Sequence, residues 1–406
     1  MVLNRYDNKL LEFMYLLTKK QKHMNSIEIA RYLSSHGKKI TDRTIRRWFH
    51  YLHKYHFDYF PYPKYGTLGL VPIFTLVEFN EKLLEVLPYR LSIIYGINFQ
   101  DFERCLINTH LIPTNHLNDF KALCSEASEY GIFKKYFIFD SAVAFFSPFH
   151  KIFKRDGLVE FPENYDIDNS YFTGLLRNCL QSDKSNRLEK EVKENPLIIP
   201  IILEYFREHR SSHGVWNSFR RKLGDGVWGY VKDPKIRRLK KKGSGIRLIQ
   251  KTMKELHDNF HEFFQQIRVV YYPFYAHENN IFYMFLKLKR KNDIIPLSEA
   301  LSKHSVSIVV YPPMNPKSKE IAYYILTNKK ETLNIISNLI HPYIDKSYDN
   351  KIIYEDFEAS MKYRGPKSYH WRKYYLRSNY HRLFNPKTVT WKFDIEKYKK
   401  RLYKLK

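Results

Sequence analysis

The chain has 406 residues, 44% of them hydrophobic and 17% aromatic, enough apolar material for two to four folded domains and too much for a wholly disordered chain. Its three cysteines, Cys105, Cys124 and Cys179, are too dispersed for a disulfide scaffold or an all-thiolate zinc site, and no apolar run approaches the ~20 residues of a bilayer span. With 69 Lys and Arg against 42 Asp and Glu the formal charge is +27, which favours polyanionic partners, nucleic acid before an anionic membrane, although a composition heavy in Lys, Tyr, Phe, Ile and Asn accounts for the same excess.

The chain opens directly on structure, MVLNRYDNKLL, with no signal-peptide core, so the expected setting is soluble and cytoplasmic. Three short helical patterns follow. The first spans Asp7 to Thr18. The second begins near Asn25, where Asn25-Ser26-Ile27-Glu28 has capping-box spacing, runs through Ile29, Ala30 and Leu33, and stops at Gly37. The third starts at Thr41, a good N-cap, and places Ile45, Trp48, Phe49 and Leu52 on one side. Arg43, Arg46, Arg47 and His50 fall on the other.

A cationic helix face with hydroxyls at its start suits the major groove, where Arg bonds guanine bidentately and a helix N-terminus receives a phosphate. Thr41, Arg43, Thr44, Arg46, Arg47 and His50 are the expected DNA contacts. The same pattern also fits an ordinary three-helix unit with its charged face in water.

These residues resemble the winged helix-turn-helix of Lrp/AsnC-type transcription regulators. Leu3, Asp7, Leu10 and Leu11 echo that family's first helix, Glu28-Ile29-Ala30 and Leu33 its second, and Thr41 through Leu52 its recognition helix. The resemblance covers residues 1 to about 80, with a wing expected between Tyr55 and Tyr65. It implies a ferredoxin-like domain after the winged helix, serving oligomerisation and small-effector binding.

Further along, Leu68–Phe79 reads as a strand, with Pro72 favouring an edge position or a break. A short helix through Leu83–Leu87, strands at Leu91–Tyr95 and Cys105–Thr109, a helix over Asn118–Tyr130 and aromatic strand material from Tyr136 complete a first α/β unit. A second unit has strands from Ile267, Ile281, Val306 and Ile321 and helices over Ile295–His304 and Lys330–His341. Strand–helix–strand–strand–helix is the core of a ferredoxin-like sandwich.

Between them, Ile198–Phe206 reads as an apolar helix, followed by glycine-punctuated short helices near Trp216–Leu223, Pro234–Lys241 and Ile246–Leu256. This fits a second, degenerate helix-turn-helix, with Arg237, Arg238, Lys240, Lys241, Lys242 and Arg247 as a basic cluster that reads equally as a DNA surface or a solvated charge run, Arg237, Arg238, Lys241 and Arg247 being its expected DNA contacts. The last 46 residues hold fifteen Lys or Arg against Asp394 and Glu396, with aromatics interleaved around Arg372, Lys373 and Arg377. Such a tail neutralises phosphates and stacks exposed bases, or forms a small helical subdomain around its own aromatics.

No phosphate loop or dinucleotide fingerprint occurs. His257 and His261 have metalloprotease-like spacing, but Asp258 stands where the glutamate belongs, and His209 and His213 share that spacing beside a turn. No metal, cofactor or catalytic group is expected. The fold class expected is multidomain α/β (α+β): a winged helix-turn-helix with duplicated ferredoxin-like α/β sandwich segments. Its divisions are residues 1–65 winged helix, 66–160 first sandwich, 161–195 polar linker, 196–260 basic helical domain, 261–345 second sandwich and 346–406 basic aromatic extension. The function expected is non-catalytic, sequence-specific binding of double-stranded DNA in transcription regulation at the nucleoid. RNA, a small-molecule effector and a homodimer or intramolecular pseudo-dimer are the further partners, and no membrane. An architectural chromatin-like protein, an RNA-binding protein and a nucleic-acid-processing or replication-initiation enzyme are the alternatives.

Overall fold

The computed structural model describes residues 26–35, 37, 39–54, 57–63, 65–78, 90–98, 103–141, 145–146, 194–199, 201–202, 212–259, 264–271, 279–305, 307–315, 317–328, 333–356 and 384–404. The expected helices at Asp7–Thr18 and Leu83–Leu87 and nearly all of the 161–195 linker lie outside these residues, as do Cys179, His209, His261, Arg372, Lys373 and Arg377.

Two short helices come first, α1 (Ser26–Ser35) and α2 (Asp42–Lys54). Ile29, Ala30 and Leu33 recur at helical spacing and are buried, as is Ile45 of α2, so the two helices pack along one apolar seam. Strand β1 (Phe57–Pro63) follows α2. Among the described residues it forms no wing hairpin. It pairs antiparallel with β7 (Phe264–Tyr271), from Phe57 opposite Tyr271 to Pro63 opposite Phe264. The strand after the second helix is thus completed by a segment some two hundred residues away, which removes the expected self-contained winged helix.

The first part of the large sheet comprises β2 (Leu70–Glu78), β3 (Arg90–Asn98), β4 (Arg104–Pro113), helix α3 (Leu117–Glu129), β5 (Phe137–Asp140) and the two-residue β6 (Phe145–Phe146). A helical region follows: residues 194–199 and 201–202, α4 (Ser212–Leu223), a 3-10 turn (Gly224–Tyr230), α5 (Pro234–Leu239) and α6 (Lys242–Asp258). After β7 come β8 (Asn279–Lys287), α7 (Ile294–Lys303), β9 (Ser307–Tyr311), β10 (Glu320–Asn328), α8 (Leu333–Ile340) and β11 (Lys351–Glu355). The chain ends in β12 (Phe384–Asn385), β13 (Thr390–Trp391) and α9 (Ile395–Tyr403).

Among the described residues nine strands form one antiparallel sheet in the order β5-β2-β4-β3-β11-β8-β10-β9-β6. The seam is β3 on β11, where Asn98, Ile97 and Gly96 stand opposite Ile353, Tyr354 and Glu355. The expected pair of separate sandwiches, each behind its own winged helix, is therefore corrected to one continuous sheet. The reason is register: β11 has neighbours on both sides, β3 and β8, so neither half ends at the seam.

Both faces of this sheet are covered, which explains strands such as NNIFYMFLK that are apolar almost throughout. On β8, Phe282, Met284 and Leu286 belong to a core under α7 and α8, while Ile281, Tyr283 and Phe285 belong to the core on the opposite face. The sheet also curls. Phe74 of β2 touches Phe285 of β8 and Tyr311 of β9, and the Ser141 hydroxyl donates to the Pro312 carbonyl at 2.9 Å. The Met314 amide donates to the Asp140 carbonyl at 3.1 Å, closing the curl between β5 and the end of β9.

Pro72 does not mark an edge: β2 lies between β5 and β4. Its carbonyl accepts from the Ser141 amide just beyond the end of β5. The missing N–H points the same way, where the short outer strand has already ended, so no inner ladder bond is lost.

Candidate functional site

The helical region leaves a cleft of about 440 Å³. Three segments line it: Glu194 to Ile198, Tyr230 to Asp233, and the α6 face bearing Leu248, Lys251, Thr252, Glu255 and Leu256, with Asn259 just past its end. The α6 residues recur three or four positions apart and so lie along one side of the helix. Leu197, Ile198, Tyr230, Val231, Thr252 and Leu256 are buried and make the floor. Glu194, Lys232, Asp233, Lys251, Glu255 and Asn259 are exposed at the rim.

Hydrogen bonds fix the walls. The Asn195 amide donates to the Thr252 hydroxyl at 2.9 Å, tying the 194–198 segment to α6. Asp233 caps α5, accepting from the Lys235 and Ile236 amides at 2.8 and 3.3 Å. The Tyr230 ring meets Phe219 edge to face at 5.1 Å, and its hydroxyl donates to the Phe384 carbonyl at 3.2 Å. Burial pushes this phenol well above the usual tyrosine range, so it stays neutral and acts as a donor.

The rim combines Lys232 and Lys251 with Glu194, Asp233 and Glu255. Lys251 and Glu255 approach to 3.8 Å one helical turn apart, both largely in solvent. Such a pair contributes only about 0.3–0.5 kcal/mol, so it yields readily to a ligand's own charged groups. The arrangement offers an apolar floor, hydrogen-bonding amides and charges of both signs.

The residues singled out in the sequence lie elsewhere. Thr41 caps α2: the Thr44 amide donates to its hydroxyl oxygen at 3.3 Å, and the two hydroxyls are 3.1 Å apart. Arg43, Arg46 and Arg47 are exposed on α2, and the Arg46 guanidinium bonds Asp42, which holds that carboxyl below its ordinary range. His50 is in α2, with its side chain outside the described residues. Arg237 and Arg238 on α5, Lys241 before α6 and Arg247 on α6 are all exposed, and none lines the cleft. Among the described residues no group of His, Cys, Asp and Glu could hold a metal, and no helix is long and apolar enough to cross a membrane.

Sequence reasoning passed close to the cleft without finding it. The GDGVWG stretch reads as tight turns and is indeed a 3-10 turn, but it delivers Tyr230–Asp233 to one wall. The available signal was the mixed polar and apolar stripe at 248, 251, 252, 255 and 256 of α6, opposite a turn ending in buried aromatics.

No protein-family profile matches the chain, and no curated protein matches it. Among solved structures it is similar to that of the siroheme decarboxylase NirDL, over 86% of this chain and 91% of that one, with 11% identity and a TM-score of 0.43. A second structure of that enzyme, in co-complex with an iron-uroporphyrin III analogue, gives 85% and 90% coverage, 11% identity and a TM-score of 0.42. That level of likeness assigns neither a substrate nor a reaction to this chain.

Both structures are of an enzyme, and neither is of an Lrp/AsnC-type regulator. The family resemblance, and the DNA-binding transcription regulator read from it, are corrected by the fold: β1 pairs with β7 where a wing was expected, and the two expected sandwiches are one sheet. The architectural, RNA-binding and nucleic-acid-processing alternatives, nucleoid association, and the partner set of DNA, RNA, regulatory effector and paired copies rested on that same reading and are withdrawn with it. The expectation of a non-catalytic chain is corrected as well: it rested on missing local motifs, whereas catalytic groups converge from distant positions. A basic amphipathic helix such as α2 needs no nucleic acid to account for it, since its apolar side packs and its arginines are solvated.

Proposed function

We propose that the cleft between α6 and Tyr230–Asp233 takes up a small organic molecule, as substrate or as cofactor. The observation that carries this reading is the cleft itself: about 440 Å³, with a buried apolar floor and a polar rim. That volume and lining fall within the range of small-molecule sites, roughly 300–1,000 Å³ with a few placed polar groups. The floor favours a ligand with an apolar body. The rim favours end groups of both kinds, an acid toward Lys232 and Lys251 and a donor toward Glu194 and Glu255.

A thermal-unfolding screen against aromatic carboxylates, amino acids and an iron porphyrin carboxylate tests this, with Leu248→Trp alongside to fill the cleft. A true ligand at a hundredfold excess over its Kd stabilises the native chain by about 2.7 kcal/mol. The wild type is expected to gain and the filled variant to gain nothing. Equal stabilisation of both proteins, or none by any compound, overturns the reading.

A further inference from the structure

The C-terminal segment 384–404 is fastened at three places, and one of them is the cleft wall. At the first, Phe384 accepts the Tyr230 hydroxyl bond, and Pro386 lies against Gly229, with its Cγ 3.8 Å from where a Cβ would stand. At the second, the Trp391 indole N–H donates to the Leu68 carbonyl at 2.8 Å. Trp391 is buried there against Gly69, whose φ of +70° lies in the left-handed region that favours glycine. At the third, α9 lies on α3, where Lys399 meets Glu126 at 3.0 Å and Tyr403 hydrogen-bonds the same carboxylate. Tyr403 also meets Tyr130 edge to face at 5.5 Å.

These anchors differ in strength. The middle one is a buried ring with a satisfied donor, and the third is a set of partly exposed polar contacts. The first holds the part of the cleft with little regular structure of its own: Val231, Lys232 and Asp233 form an irregular stretch between the 3-10 turn and α5. Local bonds tie its two ends, Val231 N–H to the Trp228 carbonyl at 3.2 Å and Asp233 to the start of α5, and the Tyr230–Phe384 contact adds a tether from the C-terminal segment.

We propose that residues 384–404 are a latch that assembles the cleft, with Tyr230 as the residue that positions the wall and Trp391 as the fixed pivot. The latch regulates the ligand site proposed above and rests on that reading. With the latch fastened, the Tyr230 ring is clamped between Phe219 and Phe384 and the wall faces α6. With it released, Tyr230 loses its acceptor and the 230–233 wall opens.

Hydrogen exchange on the full chain, without ligand, tests this through Tyr230→Phe and Trp391→Ala. In Tyr230→Phe, amides of residues 228–233 are expected to exchange about fivefold faster, as for one lost hydrogen bond. In Trp391→Ala the increase is expected to exceed about tenfold and reach residues 194–198, with β8 and β10 unchanged. Unchanged exchange at 228–233 in Tyr230→Phe overturns the latch. If Trp391→Ala also loses protection in β8 and β10, the whole fold has loosened and Tyr230→Phe alone decides. No ligand enters the measurement, so a failed ligand screen leaves the exchange result standing. Unchanged exchange beside a positive screen sinks the latch and keeps the site.

Discussion

Phe74 and Tyr311 meet edge to face with ring centroids 4.7 Å apart, although their strands stand second and eighth in the sheet. A flat sheet would hold these rings far apart at ~4.8 Å per strand, so the contact is a direct consequence of the curl. Phe74 also touches Phe139 and Phe285 and is almost wholly buried. Phe74→Ala is expected to cost about 3–5 kcal/mol in denaturant unfolding. A loss below about 1 kcal/mol would mean that the rings do not pack as described.

Gly96 lies at the seam of the sheet. A Cβ there would stand 2.5 Å from Ile353 Cγ2 and 2.8 Å from the Tyr354 carbonyl oxygen, so β3 reaches β11 only as glycine. Gly96→Ala is expected to destabilise by roughly 1–3 kcal/mol through overpacking. Adding Ile353→Val should recover little, because the Tyr354 backbone stays in place; full recovery in the double variant would contradict this geometry.

In the helical region, a Cβ on Gly245 would run into the Trp216 ring, which is itself edge to face with Trp228 at 5.1 Å. Gly245 lets α6 approach α4 closely. Elsewhere in a helix Gly→Ala stabilises by about 1 kcal/mol. Here the opposite sign is expected in thermal melts, with faster exchange at the 230–233 wall because α6 carries one side of the cleft.

The pH response of the α9 contact follows from Glu126. The Tyr403 hydrogen bond, then Lys399, hold this carboxyl below its ordinary range. A carboxyl depressed in the folded state adds stability above its unfolded value, near ~4.3, and loses it as pH falls through the folded value. Glu126→Gln keeps an acceptor but no charge. The gap in melting temperature between wild type and Glu126→Gln is expected at pH 7 and to close below about pH 4. A gap independent of pH would locate the effect outside this ion pair.

Local structure was more legible in the sequence than architecture. The helix over Asn118–Tyr130 and the strands from Ile281 and Ile321 fall where α3, β8 and β10 are found, because apolar spacing and strand composition are local signals. Three facts were not local. β1 pairs with β7, β3 pairs with β11, and Ser141 reaches Pro312, contacts that join segments more than a hundred residues apart. A strand's partner is set by register and twist over the whole sheet, and no window of residues records it. The cleft was missed for a related reason. Charge drew attention to Arg46, Arg47, Arg237 and Arg238, which are exposed, whereas the cleft is made by the modest residues Asn195, Tyr230 and Thr252 brought together from three segments.

The most direct test of the central claim is a crystallographic fragment soak of the whole chain. Small aromatic and carboxylate fragments are expected to cluster between Leu197, Val231, Leu248 and Leu256, with polar ends toward Lys232 or Lys251. Fragments that bind reproducibly elsewhere while this cleft stays empty would contradict the account.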